Sequence, residues 1–287
     1  MKKFFFAVLI VIGSCMTASA AVVTDTFQAS TTPVCPASIP TTTAANNGNE
    51  NYTCLNTPNT FEITVYEIGA CAADPYAAGG QAIDKTTCTV VFTNTSGSTI
   101  DVAKSIGGSS GLTGTITRPA NGSYKYPYAV IRNSLKIDAV VTQSGSTYSS
   151  SGLSAGAAGS NIKTPGTGST PQTETFLNFD GTGTTCAAVI SGLPVSNGTM
   201  TGHLTDAALN RRDATDSSGS TPNVICTGVA RLVAVNTLTT PFVVTKDTTY
   251  FKLGFNVTNS GVLIENDNSG AIEQINSQPF SILLTSD

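Results

Sequence analysis

The chain has 287 residues, of which 14 are basic and 18 acidic, so its formal net charge is −4. Charged residues make up only 11% of the chain, against roughly a quarter in soluble domains, and Thr, Ser, Gly and Asn take their place. An acidic chain with few positive charges lacks the basic surface that nucleic acid or an anionic membrane requires. We therefore expect neither partner.

The N-terminus has the layout of a secretory signal peptide over residues 1–20. Lys2 and Lys3 are followed by an apolar run at residues 4–12 and by a small-x-small cleavage site that ends at Ala20. The run is far shorter than the roughly 20 residues of a membrane-spanning helix, and no later stretch supplies one. The sequence predicts cleavage between Ala20 and Ala21 and export without a transmembrane segment.

A second processing site competes with this one. The sequence from Ile12 to Cys15 resembles the lipobox of bacterial lipoproteins, in which the cysteine is lipidated and becomes the new N-terminus. Cleavage after Ala20 removes Cys15, whereas lipidation tethers the protein. The expected location is thus extracellular or at the cell surface, with the periplasm or a lipoprotein as the alternative.

Six cysteines remain after removal of the signal, and in an oxidising compartment they predict three disulfides. Sequential pairing closes modest loops, each of which contributes about 3–4 kcal/mol in the chain-entropy model. A zinc site is disfavoured because the chain has no Cys-x2-Cys spacing and a single histidine, and we expect no metal and no cofactor. The predicted pairs are Cys35–Cys54, Cys71–Cys88 and Cys186–Cys226.

Residues 21–58 show little periodicity and predict an N-terminal arm or cap, whereas the chain from residue 59 to 287 reads as β-structure. Phe61–Tyr66, Leu135–Ala139 and Phe251–Phe255 alternate apolar and polar residues, as half-buried strands do. Ten to twelve strands are expected, in an all-β antiparallel sandwich of immunoglobulin-like or jelly-roll-like type. A helix-like stretch is predicted at Thr205–Arg212. Further strand-like runs are Thr89–Phe92, Thr113–Thr117, Tyr124–Ile131, Ile225–Val235 and Phe242–Thr245.

Residues 143–173 are dominated by Ser, Gly, Thr and Ala, a composition that buries too little apolar surface to order itself. They form either a long surface loop inserted in one sandwich or a linker between two β domains at 59–142 and 174–287. The linker is favoured because Thr184–Val189 is similar in sequence to Thr86–Val91, which suggests a duplicated domain. We prefer the single sandwich.

No catalytic motif stands out. A Ser-His-Asp triad would need His203, and the Gly-Ser pattern at 107–111 lacks the helix that follows a nucleophile elbow, so we interpret His203 as a surface residue and expect no enzyme activity. Residues 265–270 match the first half of an EF-hand loop, but Asn276 stands where a bidentate Glu is required. A polar hairpin turn is the preferred interpretation there.

Tyr124, Tyr126 and Tyr128 recur with period two, which predicts three rings on one face of a strand. Such rings either stack on sugars or pack against the core or a neighbouring subunit, and packing is our preferred interpretation. Pro127 between them indicates an edge strand or a bulge. A glycan-binding or adhesive module is the alternative function that this strip supports.

The termini suggest a third kind of function. The N-terminal arm opens with Val22 and Val23, and an extended arm that adds to the sheet edge of another subunit holds β-sandwich filaments together. The simpler alternative is an arm folded onto its own domain. Expected partners are accordingly other protein subunits, as in a homo-oligomer, or surface glycans.

Three segments, Phe61–Cys71, Thr87–Thr93 and Ser123–Ile131, resemble parts of uncharacterised Thr- and Gly-rich secreted β-proteins of Gram-negative bacteria, some of them pilin-like. The resemblance covers about a third of the chain and assigns no functional residue. It implies an extracytoplasmic structural or interaction protein, a bacterial surface or filament subunit, with a carbohydrate-binding module second and a secreted hydrolase a distant third.

Overall fold

The structure, a computed structural model, describes residues 33–39, 53–77, 79–105, 111–150, 162–163, 171–179, 185–219, 224–249, 251–266 and 271–286. Strands dominate these residues, and the helical content named among them is two single 3-10 turns, at Ala103–Ser105 and Ala214–Asp216. The predicted all-β class is therefore confirmed. The predicted signal, the cleavage site at Ala20 and Ala21, and Cys15 lie outside the described residues.

The strands of the first half are β1 (Thr53–Asn56), β2 (Thr60–Cys71), β3 (Cys88–Asp101), β4 (Thr115–Ile116), β5 (Gly122–Tyr124), β6 (Tyr126–Arg132), β7 (Ser134–Asp138), β8 (Val140–Gln143), β9 (Ser146–Ser150), β10 (Ile162–Lys163) and β11 (Gln172–Thr175). Those of the second half are β12 (Val189–Val195), β13 (Gly198–Thr205), β14 (Ser217–Ser218), β15 (Ile225–Cys226), β16 (Arg231–Leu238), β17 (Phe242–Val244), β18 (Phe251–Asn256), β19 (Val262–Asn266), β20 (Ile272–Ser277) and β21 (Ser281–Ser286).

One antiparallel sheet of nine strands, called the large sheet here, organises the molecule. Its central strand is β2, which pairs along one edge with β3 and along the other with β6 and then β7. Beyond β6 follow β16, β13 and β12, whereas β11 pairs with the outer edge of β7 and β4 with β3. Strands on both sides of residues 143–173 therefore belong to the same sheet.

The C-terminal strands form one long antiparallel hairpin, in which β18 pairs with β21 and β19 with β20. A turn at residues 257–261 interrupts it, and β1 adds to the free edge of β19. Three rings join this hairpin to the large sheet, because Phe280 makes edge-to-face contacts with Phe61 at 5.9 Å and with Phe255 at 5.5 Å between ring centroids. The hairpin thus covers one face of the large sheet as a second layer.

The two faces of the large sheet bury different side chains. The first face carries Phe61, Val65 and Ile131 in the main hydrophobic core under the hairpin. The second face carries a smaller cluster around Tyr128 and Val233, covered by the loop between β2 and β3. A β-bulge at Tyr66, between the paired residues Val65 and Glu67, turns both Tyr66 and Glu67 to this second face.

The three disulfides have the predicted sequential pairing, Cys35–Cys54, Cys71–Cys88 and Cys186–Cys226. Cys71 and Cys88 stand directly opposite each other on β2 and β3, so this bond closes the loop over the second face at its base. Disulfides are typical of a non-cytoplasmic, oxidising compartment.

Two predictions about secondary structure are wrong. The helix predicted at Thr205–Arg212 is instead the end of β13 followed by a turn, because the Asp206 carboxylate accepts from the backbone N–H groups of Ala208 and Asn210 and Leu209 has a positive φ of 67°. The strand count is also higher than ten to twelve, since 21 strands are described. Bulges and turns divide runs that the sequence shows as continuous, such as Tyr124–Ile131.

Candidate functional site

A pocket lies on the first face of the large sheet, among the described residues. Its floor follows from the register of two strands, because Gly202 on β13 stands opposite Ala234 on β16. Two small residues side by side leave a depression between larger neighbours. Ala129 on β6 stands opposite Ala234 and continues the row of small residues outside the pocket. A Cβ on Gly202 would lie 3.1 Å from Ile190 and 3.4 Å from Phe179, so the absent side chain forms part of the space.

The pocket has a volume of about 180 Å³. Half-buried apolar side chains stand at its mouth, so it opens to solvent. One rim is Leu193 on β12. The other rim is formed by Ser277, the last residue of β20, and by the segment that leads from it to β21. Besides Gly202 and Ala234, its walls are Leu135, Phe176, Phe179, Ile190, Leu193, Met200, Leu232, Ser277, Gln278, Pro279 and Phe280.

A half-buried carboxylate holds the second rim in place. Glu174 on β11 accepts hydrogen bonds from the backbone N–H of Ser277, with N–O distances of 3.1 Å to both carboxylate oxygens, and contacts the Ser277 hydroxyl. Burial raises the pKa of Glu174 above its ordinary value. The large sheet and the hairpin are therefore held together beside the pocket by a polar contact as well as by apolar packing.

Asn236 adds an unsatisfied polar group near the pocket. It stands opposite Met200, on the same face as Ala234, and is fully buried. Neither its amide oxygen nor its amide nitrogen has a hydrogen-bond partner among the described residues. A buried amide without partners costs about 1–3 kcal/mol, so Asn236 lowers the stability of this part of the sheet.

The sheet edge next to the pocket is β12, which in the described part of the chain pairs with β13 alone. Its register shifts between Ile190 and Leu193, where Gly192 has a positive φ of 73°, and Pro194 follows. Bulges and prolines are the devices by which natural proteins prevent strand addition at an exposed edge. This edge is therefore a poor template for a further strand.

The second face holds a polar network. The Tyr128 hydroxyl donates to the Glu67 carboxylate at 2.6 Å, and Lys85 from the covering loop bonds the same oxygen at 2.6 Å. The Tyr128 ring occupies the space where a Cβ of Gly69 would stand, 2.5 Å away. Burial, followed by the Glu67 hydrogen bond, raises the pKa of Tyr128. These features are those of a satisfied structural network.

His203 is buried on this face, at 4% exposure, so its interpretation as a surface residue is wrong. The reason is that residues of the covering loop pack over it, and the Tyr76 ring lies 4.1 Å from the imidazole. Burial, with the nearby Arg211 guanidinium as a smaller cause, lowers its pKa to about 4. The Gly-Ser pattern considered with it lies at 107–111, of which residues 107–110 are outside the described residues.

The three tyrosines do not form one exposed row. Tyr124 is buried in a separate cluster with Phe242, Tyr128 is fully buried on the second face, and Tyr126 is half-buried. Pro127 lies on β6, a central strand rather than an edge, near the point where the ladder with β16 ends at Tyr128. The positions of Tyr124 and Tyr128 match the packing interpretation.

The EF-hand-like segment at residues 265–270 falls between β19 and β20 in the chain, and its residues 267–270 lie outside the described residues. In the described ranges no group of three or more metal-ligating side chains is present, and no helix there is long and apolar enough to cross a membrane.

The pocket was not predicted from the sequence. Gly202 and Ala234 are far apart in the chain, and only the strand register places them side by side. The available signal was a small residue in the middle of each of the two strands, which marks a close approach or a cavity. Comparisons of the chain with models of known protein families, with curated proteins and with solved structures find no match.

Proposed function

We propose that this chain is an extracytoplasmic structural or interaction protein, a bacterial surface or filament subunit without catalytic activity. The observation that carries the proposal is the apolar pocket on the first face, together with a framework of three disulfides suited to an oxidising compartment. An apolar pocket open to solvent is a site for a protein partner or an apolar ligand.

The occupant that we propose is Phe27 of a second copy of the chain. An apolar cavity of about 150 Å³ accommodates a benzene ring, so a pocket of about 180 Å³ suits one phenyl side chain. Phe27 is the one aromatic residue between the predicted cleavage site and Pro33, where the described chain begins. The arm therefore offers a single anchor of the right size.

The reach of the arm is sufficient. Pro33 accepts a hydrogen bond from Leu55, which stands opposite Leu263 on β19, and Leu263 stands opposite Asn276 on β20. Three strand spacings place the start of the arm about 15 Å from the rim at Ser277. Residues 21–32 span up to about 40 Å when extended, which is enough to enter a neighbouring subunit.

The mode of binding differs from simple strand addition. Because Pro194 and the bulge of β12 oppose a further strand at this edge, the arm is expected to bind through its anchor side chain. Affinity then depends on Phe27 more than on the length of the arm.

A mixing experiment tests the proposal. Phe27→Ala removes the anchor and keeps the pocket, whereas Leu193→Trp blocks the rim and keeps the anchor. Light scattering and electron microscopy of the mature protein should show oligomers that grow with concentration, and each variant alone should be monomeric. An equimolar mixture of the two variants should give heterodimers and nothing longer, because only one of the two possible contacts is intact.

Val243→Trp is the matched control, since Val243 is 50% exposed on β17 and lies away from the pocket. It should assemble like the unaltered protein. Equal melting temperatures of all variants exclude misfolding as the cause. An unaltered protein that stays monomeric while the mixture forms heterodimers means that the arm occupies its own pocket. A mixture that stays monomeric means that Phe27 does not enter the pocket. Either result contradicts a filament built through this contact.

The alternative functions have less support. The glycan-binding hypothesis relied on Tyr124, Tyr126 and Tyr128, two of which are buried. The hydrolase hypothesis relied on His203, whose imidazole is covered by Tyr76. Hydrolysis of a broad ester or glycoside panel by the purified protein, lost on His203→Gln, would reverse this ranking.

A further inference from the structure

A pair of arginines on the second face lies outside every contact described so far. Arg132 on β6 stands directly opposite Arg231 on β16. Opposite residues of an antiparallel pair share a face, with Cβ atoms about 5 Å apart, and Val233, two residues beyond Arg231, belongs to the second-face cluster. Two positive charges are therefore held side by side on that face by the register of the sheet.

The surroundings orient one guanidinium and leave the other exposed. The Arg231 guanidinium stacks on the ring of Tyr66, with its Cζ 3.7 Å from the ring centroid, and donates one hydrogen bond to the carbonyl of Ala230. Arg132 is exposed. The stack fixes the plane of Arg231, while most of the N–H donors of both side chains have no partner in the described part of the protein.

Neither guanidinium has a carboxylate partner within 4 Å among the described residues. This distinguishes the pair from most other basic side chains that the structure describes. The basic residues found in ion pairs are Lys85, Lys104, Lys136, Arg212 and Lys246. Like charges directly opposite on a sheet are destabilising, so this arrangement is relieved by an anion.

We propose that Arg132 and Arg231 bind an oxyanion, a carboxylate or sulfate group carried by an acidic polysaccharide. Guanidinium groups match such oxyanions through paired N–H donors, and two adjacent guanidiniums can hold one group between them. The site lies on the face opposite the pocket and does not depend on assembly through the arm. It gives the chain a glycan contact that the buried tyrosines do not provide.

The neighbouring groups favour a sugar over an acidic protein segment. The Tyr66 ring borders Gly97, and the adjoining stretch of β3 exposes the hydroxyls of Thr95 and Ser96. Neutral hydroxyls beside a charged pair suit the hydroxyl groups of a saccharide. Arg211 stands opposite Thr205, which in turn stands opposite Arg231, so a third positive charge extends the same lateral row.

Binding to immobilised polysaccharides tests the site. The probes are a polyuronate, a sulfated glycosaminoglycan and, as the neutral control, dextran. We expect the mature protein to bind one or both acidic probes, more weakly as salt is raised, and to ignore dextran. Arg132→Ala should weaken binding about tenfold or more, because it removes charge-assisted hydrogen bonds from an exposed residue without a packing role.

Two further variants separate geometry from charge. Arg231→Lys keeps the charge but loses the planar fork, so it should also weaken binding. Lys246→Ala removes a positive charge whose side chain is 81% exposed at another surface and should bind as the unaltered protein does. Unchanged melting temperatures show that Arg132→Ala and Lys246→Ala remain folded.

Three outcomes would overturn the proposal. The first is equal binding by the unaltered protein and Arg132→Ala, and the second is an equal loss on Lys246→Ala, which indicates net charge alone. Poly-glutamate serves as a fourth probe, and the third outcome is its binding with no binding of either acidic polysaccharide, which assigns the pair to an acidic protein segment. Each outcome leaves the assembly experiment on Phe27 and Leu193 unaffected.

Discussion

The two faces of the large sheet are built from the same strands and are stabilised in different ways. On the first face, Phe61 and its neighbours pack against the C-terminal hairpin, and the main irregularity is an apolar pocket over Gly202 and Ala234. On the second face, Tyr128 and His203 lie under a disulfide-closed loop in a partly polar network. The stability of the first face depends on how well its side chains fill space. The stability of the second face depends also on the charge and protonation of its polar groups.

This difference shows how one sheet can present both an apolar contact and a charged contact. The first face is apolar and forms an apolar pocket where small residues stand side by side. The second face carries both apolar and charged side chains, and among the described residues Arg132 and Arg231 at its end have no carboxylate partner. The second contact weakens as salt rises, because salt screens the arginine charges, whereas the apolar contact is not screened in this way. Substitutions on the two faces should therefore respond differently to solution conditions.

The largest effect is expected on the first face. Phe61→Ala removes a fully buried ring that contacts Phe280 edge to face, and it should lower the free energy of unfolding by about 3–5 kcal/mol. The loss should be the same at pH 7 and pH 5, because no titrating group is involved. Urea denaturation at both pH values measures this loss. A difference of more than about 1 kcal/mol between the two pH values would contradict the claim that the first face is stabilised by packing alone.

The next effect is the pH dependence of the second face. Since His203 has a folded pKa of about 4 against 6.5 when unfolded, the unfolded chain binds a proton between these pH values that the folded chain does not. Stability should therefore fall as pH falls from 6.5 to 4, by about 3 kcal/mol from this group. His203→Phe keeps a ring beside Tyr76 and should remove this part of the slope.

Urea denaturation of both proteins from pH 7 to pH 4 gives the difference directly. Carboxylates that titrate near pH 4 contribute equally to the two proteins and cancel. Identical slopes for the unaltered protein and His203→Phe would contradict the buried, neutral state of the imidazole.

A smaller effect is expected from the hydroxyl of the buried tyrosine. Tyr128→Phe removes the hydrogen bond to Glu67 while Lys85 remains, and it should cost about 1–2 kcal/mol. Tyr126→Phe is the matched control on the same strand. Tyr126 is half-buried beside Lys125, and its change should stay within about 0.5 kcal/mol. Equal losses of stability in thermal denaturation for the two variants would contradict a stabilising role for the Tyr128 hydroxyl.

The smallest expected effect has the opposite sign. Arg132→Thr removes one of two opposed positive charges and should raise the free energy of unfolding by about 0.2–1 kcal/mol at low salt. The gain should shrink at 1 M salt, where charges are screened. A destabilisation at low salt would show that the arginine pair is already neutralised within the chain.

The sequence predicted most of the local structure. Alternation identified β2, β7 and β18, and loop size identified the three disulfide pairs. Both signals are local, because they depend on residues close in the chain. The failure at Thr205–Arg212 has a local cause too, since an Asp206 side chain that caps the backbone twice outweighs the helix preference of Ala207, Ala208 and Leu209.

The candidate sites could not be predicted in the same way. Positive charges look scattered along the chain, yet the strand register places Arg132 opposite Arg231, and it places two distant small residues, Gly202 and Ala234, side by side under the pocket. Side-chain period reveals which face of a strand a residue occupies only when the register and bulges are known. The bulge at Tyr66 illustrates this, because it reverses the alternation within β2 and brings Glu67 to the second face.

The row of small residues under the pocket also bears on how this protein can evolve. An empty apolar cavity lowers stability, and a single larger side chain at Ala234 would fill part of it. Such a change is within reach of one mutation. A lineage that had stopped using the pocket would be free to accept this change. A lineage that still inserts an anchor there would lose the contact with it, so residue size at position 234 records use of the pocket.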